Sequence, residues 1–280
     1  MQMMRVLARF AKFFSLSLLL GLSGIASAQS TPVLSLSFSH FPPYAIKGGI
    51  EIAAPKSERC EAVNYAGYGI DVDFLVEVVK HASMDFEIRF VPQARLALGL
   101  HNIGMDLTSG IFYSEEDGVP RYQYQLYDIG GATAFLAHEA AVNSIQSFND
   151  IKRVRVGAVR GEYFHDEKMH AWIRDKNNKQ VFTANNYHHL FKMLEARRVD
   201  VIAVNDVVGR YILRTERWDG IKFTSFRIPY GQDPEKDGIY IAASKTLDKK
   251  IFEQLQKSTE SLLQSMTLEC IKSAYLMQTK

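Results

Sequence analysis

Between Val33 and Ala243 the chain twice alternates short apolar or β-branched runs with amphipathic helical patterns. Strand, helix, strand, helix, strand in that order leaves few solutions other than a parallel sheet with helices on its faces. In the first cycle, Val33 to Phe38 alternates apolar residues with serine and reads as a half-buried strand. It stops at His40-Phe41-Pro42-Pro43-Tyr44, because prolines cannot continue a ladder. Residues 45–65 read as a surface excursion. Ile70, Phe74, Leu75, Val78 and Ala82 then recur at helical spacing. Phe86 to Val91 reads as a strand, Arg95 to Leu100 as a short helix and Met105 to Ser109 as a strand.

The second cycle runs as Val154 to Val159 (strand), Tyr163 to Ile173 (helix), Val181 to Thr183 (strand), Tyr187 to Ala196 (helix), Val199 to Val204 (strand) and Val207 to Leu213 (helix). Gly238 to Ala243 reads as a final strand, and Ile251, Leu255, Leu262 and Leu263 mark one long terminal helix. Tyr127 to Leu136, with Gly130-Gly131, and Ile228 to Pro234 read as two crossings between lobes. The expected class is therefore α/β, with a discontinuous first lobe of residues 29–131 plus 233–280 and a second lobe of residues 132–232. Two connections between lobes make a hinge.

The first 28 residues carry a different signal. Arg5, Arg9 and Lys12 precede an apolar run, Phe13 to Ile25, and Ala26-Ser27-Ala28 has the small-x-small pattern of a cleavage site. A secretory signal peptide is expected, with the exported chain starting at Gln29 and residing in the periplasm. The run is shorter than the ~20 apolar residues of a spanning helix. Removing 28 of 280 residues leaves 252, more than one core usually serves. Removing three leader cations from 33 basic residues leaves 30 against 31 acidic ones, a formal charge of −1. That charge, with no basic cluster interleaved with aromatics, argues against nucleic acid and for a small neutral or zwitterionic partner.

Two cysteines, Cys60 and Cys270, lie in the exported part. A disulfide and two separate buried thiols both fit the sequence. No Cys/His zinc spacing occurs, His165 and His170 are five apart, and His188-His189 diverge, so no metal or cofactor is expected. Neither G-x-S-x-G nor a phosphate-binding G-x-x-x-x-G-K-[ST] is present.

Residues just beyond the carboxyl ends of strands are the candidates for a ligand crevice. Phe41 and Tyr44 follow the first strand as a stacking wall, and Ser109 and Gly110 follow the third. Arg160-Gly161, between a strand and a helix, would form an anion cradle with the helix-start amides. Glu162, next in line, would oppose an anion unless it pointed away. Phe112 and Tyr163 complete the loop candidates.

Six motifs in order resemble the bacterial extracellular solute-binding proteins of family 3, the polar amino-acid ABC transporter substrate-binding type. They are Phe41-Pro42-Pro43-Tyr44, Gly69-Ile70-Asp71-Val72-Asp73, Gly104-Met105-Asp106 with Ser109-Gly110, Val156-Gly157-Ala158-Val159-Arg160-Gly161, Val199-Asp200-Val201-Ile202-Ala203 and Gly238-Ile239-Tyr240-Ile241-Ala242. The resemblance spans essentially the whole exported chain. It implies a type II periplasmic-binding-protein-like fold, two α/β lobes on a two-strand hinge. It further implies a monomeric, non-catalytic protein that delivers a small ligand to an inner-membrane ABC permease or a sensor.

Two departures from the family pattern bear on the ligand. Asn205 stands where similar proteins carry the aspartate that pairs with an ammonium group. Ser114-Glu115-Glu116-Asp117 stands where they carry T-x-x-R, so Asp117 replaces the arginine that clamps an α-carboxylate. Two carboxylates facing each other in a closed cleft would repel. Arg121 or Arg95 could compensate; otherwise the ligand is not a standard α-amino acid. The alternatives are a periplasmic enzyme on the same fold, similar to a cyclohexadienyl dehydratase with Asp117 or Glu162 as general acid, and a ligand-sensing domain docked on a membrane receptor.

Overall fold

The computed structural model describes residues 33–48, 67–100, 104–111, 119–126, 131–230 and 238–276. The leader, Cys60, Phe112 and Asp117 lie outside the described residues. Elements in chain order are β1 (Val33–Phe38), β2 (Ile46–Lys47), β3 (Gly67–Tyr68), α1 (Ile70–His81), β4 (Asp85–Phe90), α2 (Gln93–Gly99), β5 (Leu107–Ile111), β6 (Arg121–Leu126) and β7 (Ala132–His138). A 3-10 turn (Glu139–Ser144) leads to α3 (Phe148–Ile151), β8 (Val156–Val159), α4 (Glu167–Arg174), β9 (Val181–Ala184), α5 (Tyr187–Glu195), β10 (Val201–Asn205) and α6 (Asp206–Thr215). The chain ends with β11 (Ile221–Pro229), β12 (Gly238–Ala243), α7 (Lys249–Gln264) and α8 (Thr267–Leu276).

The strands form two five-stranded sheets, ordered β4-β1-β5-β12-β6 and β11-β7-β10-β8-β9, and a small β2-β3 pair. β1 runs parallel to β4, from Val33 opposite Asp85 to Phe38 opposite Phe90, and parallel to β5. β12 returns from the far end of the sequence and pairs antiparallel with β5 and β6. The second sheet is parallel across β10, β8 and β9; β7 runs antiparallel to β10, and β11 antiparallel to β7.

Several local expectations shift. β1 is buried on both faces, not one, with Ser35 and Ser37 as buried as the leucines between them. It lies between two parallel neighbours, where strands are covered on both sides, and the small hydroxyls fit. Ser35 also bonds Asp106 Oδ2 and Gly104 O. The helix expected from Tyr163 starts only at Glu167, because Gly161 turns the chain at φ 86 and Asp166 caps the helix by accepting from the Met169 amide. The single terminal helix breaks at Met266, whose φ of 62 ends α7 before α8 begins. β11 occupies a stretch for which no strand was expected, and its end overlaps the expected crossing at Ile228-Pro229.

Side-chain alternation explains how the second sheet is covered. Phe135 and Ala137 of β7, with Val201 and Ala203 of β10, pack on one face with Met169 and Ile173 of α4. Ala134, Leu136, Ile202 and Val204 face the other way, onto Leu190, Leu194, Val208 and Ile212 of α5 and α6. That second cluster runs on into the core of the first sheet, which includes Leu34, Leu36, Phe74, Leu75 and Val78. Cys270, on α8, is disulfide-bonded.

Candidate functional site

The carboxyl ends of β1, β4, β8 and β9 converge on a cavity of about 280 Å³. The first sheet contributes Ser39, His40, Phe41 and Lys47 after β1, with Phe90 and Gln93 at the end of β4; the second contributes Val159, Glu162, Asn185, Asn186, Tyr187 and His189. The volume suits a ligand at the small end of what such sites take. Aromatic rings pack together along one wall: Phe41 lies 5.6 Å from Tyr187, which also lines the cavity, and 5.7 Å from Tyr44 behind it, centroid to centroid.

Gly161 shows how closely the two sides approach. A Cβ placed there would stand 2.8 Å from Ala94 Cα and 2.9 Å from Ala94 N, both in α2 on the opposite side. Its φ of 86 independently favours glycine. This turn brings Glu162 inward.

Glu162 is 9% exposed and accepts a hydrogen bond at Oε1 from the Tyr187 hydroxyl. Its Oε2 is buried and has no hydrogen-bond partner. Burial, only partly offset by the Tyr187 hydrogen bond, pushes its carboxyl up to about 8. The free protein therefore holds a neutral carboxyl here at pH 7. Tyr187 is raised well above the ordinary tyrosine value, chiefly by burial and then by the neighbouring Glu162. Around the rim, His40 Nδ1 accepts from the Lys47 amide at 3.3 Å, and burial lowers the pKa of its ring. The Ser39 hydroxyl donates to Gln93 Oε1.

Among the residues expected to bind ligand, the structure puts Phe41 on the cavity and Gly161 at its edge. Tyr44 is buried behind Phe41. Asn205 sits one step behind the cavity at the start of α6. Its Oδ1 accepts from the Val207 and Val208 amides at 3.0 and 3.2 Å, its Nδ2 donates to the Tyr230 hydroxyl at 2.8 Å, and its backbone amide bonds the Tyr187 hydroxyl. An aspartate's charge is unnecessary for this work, since the side chain caps a helix and holds the Tyr230 hydroxyl, while the backbone amide holds Tyr187.

The other candidates lie elsewhere. The Ser109 hydroxyl donates to Asp71 O at 3.0 Å, and Gly110, at φ 76, packs on the Asp71 carboxyl. Arg95 is exposed on α2. Arg121 on β6 reaches Val119 O at 3.1 Å. Arg160 turns to the Thr183 hydroxyl at 3.3 Å, so the expected anion cradle is not formed: no helix starts beside it. Tyr163 is 44% exposed and packs on His170 at 4.8 Å.

Sequence reasoning missed Tyr187, Gln93 and the pair Asn185-Asn186, and it read Glu162 as opposing an anion or, on the enzyme alternative, as a general acid. The rule that points to strand ends would have found Asn185 and Asn186, which directly follow β9.

No protein-family model matches the sequence, and no curated protein matches it. Among solved structures, an ancestral arginine-binding protein bound to arginine is 20% identical, covering 87% of this chain and 98% of its own with a TM-score of 0.65. The amino acid ABC transporter substrate-binding protein AbpA from Streptococcus pneumoniae, bound to L-arginine, is 16% identical over 89% of this chain and 96% of its own (TM-score 0.64). A histidine kinase sensor domain with similarity to periplasmic binding proteins is 16% identical over 88% and 96% (TM-score 0.63). The fold is periplasmic-binding-protein-like. In this fold the two sheets are the centres of two lobes, and the cavity lies in the cleft between them. Among the described residues, no helix is long and apolar enough to cross a membrane.

Proposed function

We propose that this protein is a non-catalytic, periplasmic solute-binding protein that captures a small polar ligand between its lobes and delivers it to an inner-membrane ABC importer. The observation that carries this reading is the cavity lined from both lobes at the carboxyl ends of four parallel strands. A ligand touching both lobes stabilises the closed form over the open one, and the transporter can then distinguish loaded from empty protein. One of the similar solved structures is named as an amino acid ABC transporter substrate-binding protein, which supports the importer as partner.

The same reading includes a leader removed before Gln29, a monomer, and lobe limits at 29–131 plus 233–280 and 132–232. It also includes a Cys60–Cys270 disulfide, supported by Cys270 being disulfide-bonded in a chain with two cysteines. Likeness to a sensor domain supports a second reading, in which the loaded protein is read by a membrane receptor instead of a permease. A thermal-shift screen of amino acids, amines, small organic acids and short peptides tests the main claim. At least one small solute is expected to raise the melting temperature; a screen without any hit contradicts ligand capture.

A further inference from the structure

The cavity carries a chemical preference of its own. Glu162 is the buried group in it that has hydrogen-bonding capacity left over. One oxygen is engaged by Tyr187, and the other, Oε2, is shielded from solvent and unpartnered. Leaving such an atom without a partner is costly, and the cost disappears when a ligand supplies a donor. The rings of Phe41 and Tyr187 stand beside it, 5.6 Å apart, and Phe90 closes another wall. A carboxyl among aromatic faces favours a positively charged guest, because ring faces attract cations and a carboxylate completes the ion pair. No arginine lines the cavity among the described residues, and Arg95, Arg121 and Arg160 are engaged or exposed elsewhere, so the site offers no fork for a carboxylate.

We propose that this cleft selects an organic cation, a primary amine or a guanidine, held by Glu162 beside the packed rings of Phe41 and Tyr187, and that it does not require an α-carboxylate on its ligand. The proposal rests on reading the cavity as the ligand site. The proton balance is simple: the ligand enters already protonated, the Glu162 carboxyl gives its proton to solvent, and the resulting carboxylate pairs with the guest. Burial pushes the empty site's carboxyl to about 8, so at pH 7 close to one proton must leave for each ligand bound.

The other titratable groups near Glu162 are Tyr187 on α5, Tyr230 beyond β11, and, around the cavity, His40, Lys47 and His189. Both tyrosines stay protonated, raised well above their ordinary value chiefly by burial. Burial lowers His40, which keeps it neutral at pH 7. Lys47 and His189 are exposed, where solvent and salt screen them.

The test is titration calorimetry of the purified protein with agmatine, putrescine and arginine, and with glutaramide and glutarate as neutral and anionic counterparts. A cation should bind, arginine no tighter than agmatine, while glutaramide and glutarate do not. The binding enthalpy in phosphate and Tris should differ by about one proton's worth of buffer ionisation at pH 7, and affinity should weaken about tenfold from pH 7 to pH 6. Glu162→Gln, which keeps an acceptor for Tyr187, should lose at least tenfold in affinity and release no proton. Binding of glutarate or glutaramide alone, or cation binding without proton release, overturns the cation proposal and leaves solute capture standing. The proton count needs only the wild-type protein, so a poorly folded variant does not blunt the test. If neither this panel nor the wider solute screen gives a ligand, both readings fall together.

Discussion

In each lobe a fully buried carboxyl meets a tyrosine hydroxyl, apart from the less buried Asp73–Tyr275 pair of the first, and the two fully buried pairs have opposite fates. In the first lobe Asp71 meets Tyr124; in the second Glu162 meets Tyr187. Burial raises both acids, Asp71 to about 7 and Glu162 to about 8. A glycine with positive φ stands beside each, Gly110 next to Asp71 and Gly161 next to Glu162. The difference lies in what the second oxygen sees. A Cβ on Gly110 would stand 2.3 Å from Asp71 Oδ2, so that oxygen is walled in by the lobe's own backbone. Glu162 lines the cavity and its Oε2 is buried without a partner, and a Cβ at Gly161 would meet Ala94 on the opposite side instead. One pair is closed off by its own backbone, and the other is the one assigned to a ligand in the cation proposal.

Substitutions at the two glycines should separate these roles most strongly. Gly110→Ala adds left-handed backbone strain and a clash with a buried carboxyl, together on the order of 3 kcal/mol of stability. Chemical denaturation should show that loss, with ligand affinity little changed in the protein that remains folded. Gly161→Ala costs only about 1–2 kcal/mol of folding stability. It should also weaken ligand binding at least tenfold, because the added methyl would stand 2.8 Å from Ala94 Cα and push the two sides of the cavity apart; unchanged affinity would make the two glycines equivalent and break the comparison.

Removing the hydroxyls should give a smaller effect of the same kind. Tyr124→Phe leaves Asp71 without its donor and should cost roughly 1–3 kcal/mol in denaturation. Tyr187→Phe should cost a similar amount and, unlike its counterpart, should also weaken ligand binding in titration calorimetry.

The pH dependence follows from the direction of both shifts. An acid whose pKa is raised on folding holds its proton longer in the native state than in the unfolded chain. Stability should therefore fall as pH rises, from the ordinary values of 3.8 and 4.5 through about 7 for Asp71 and about 8 for Glu162. Thermal melts of ligand-free protein should show this decline, and Glu162→Gln should flatten its upper part. A melting temperature that rises from pH 5 to pH 8 would mean that neither acid is buried neutral.

The smallest expected effect is at Asn205. Replacing it by alanine removes the α6 cap, for about 1 kcal/mol, and takes one donor from the Tyr230 hydroxyl. Its influence on ligand should be indirect, through Tyr187, and weaker than that of Tyr187→Phe.

The fold could be read from the sequence wherever periodicity was strong. The helix at Ile70–His81 and the strand at Gly238–Ala243 follow from apolar spacing alone. What escaped was set by tertiary context. β11, with its bulge between Phe223 and Arg227, alternates too irregularly to stand out, and the buried serines of β1 are explained only by neighbours on both sides. At the site, Phe41 and Gly161 were legible as strand-end residues. Glu162 was legible as a carboxyl in the right loop but not as a neutral one, because its protonation depends on burial beneath Tyr187, a residue 25 positions away. Arginines drew attention for their charge, yet Arg160 spends its guanidinium on Thr183.

The central claim is tested most directly by a crystal structure of the protein grown with agmatine. The expected result is ligand density in the cleft beside Phe41 and Tyr187, with a guanidinium or ammonium nitrogen within hydrogen-bonding distance of Glu162 Oε2. Ligand bound outside the cleft, or seated in it with its charged group turned away from Glu162, would contradict the account.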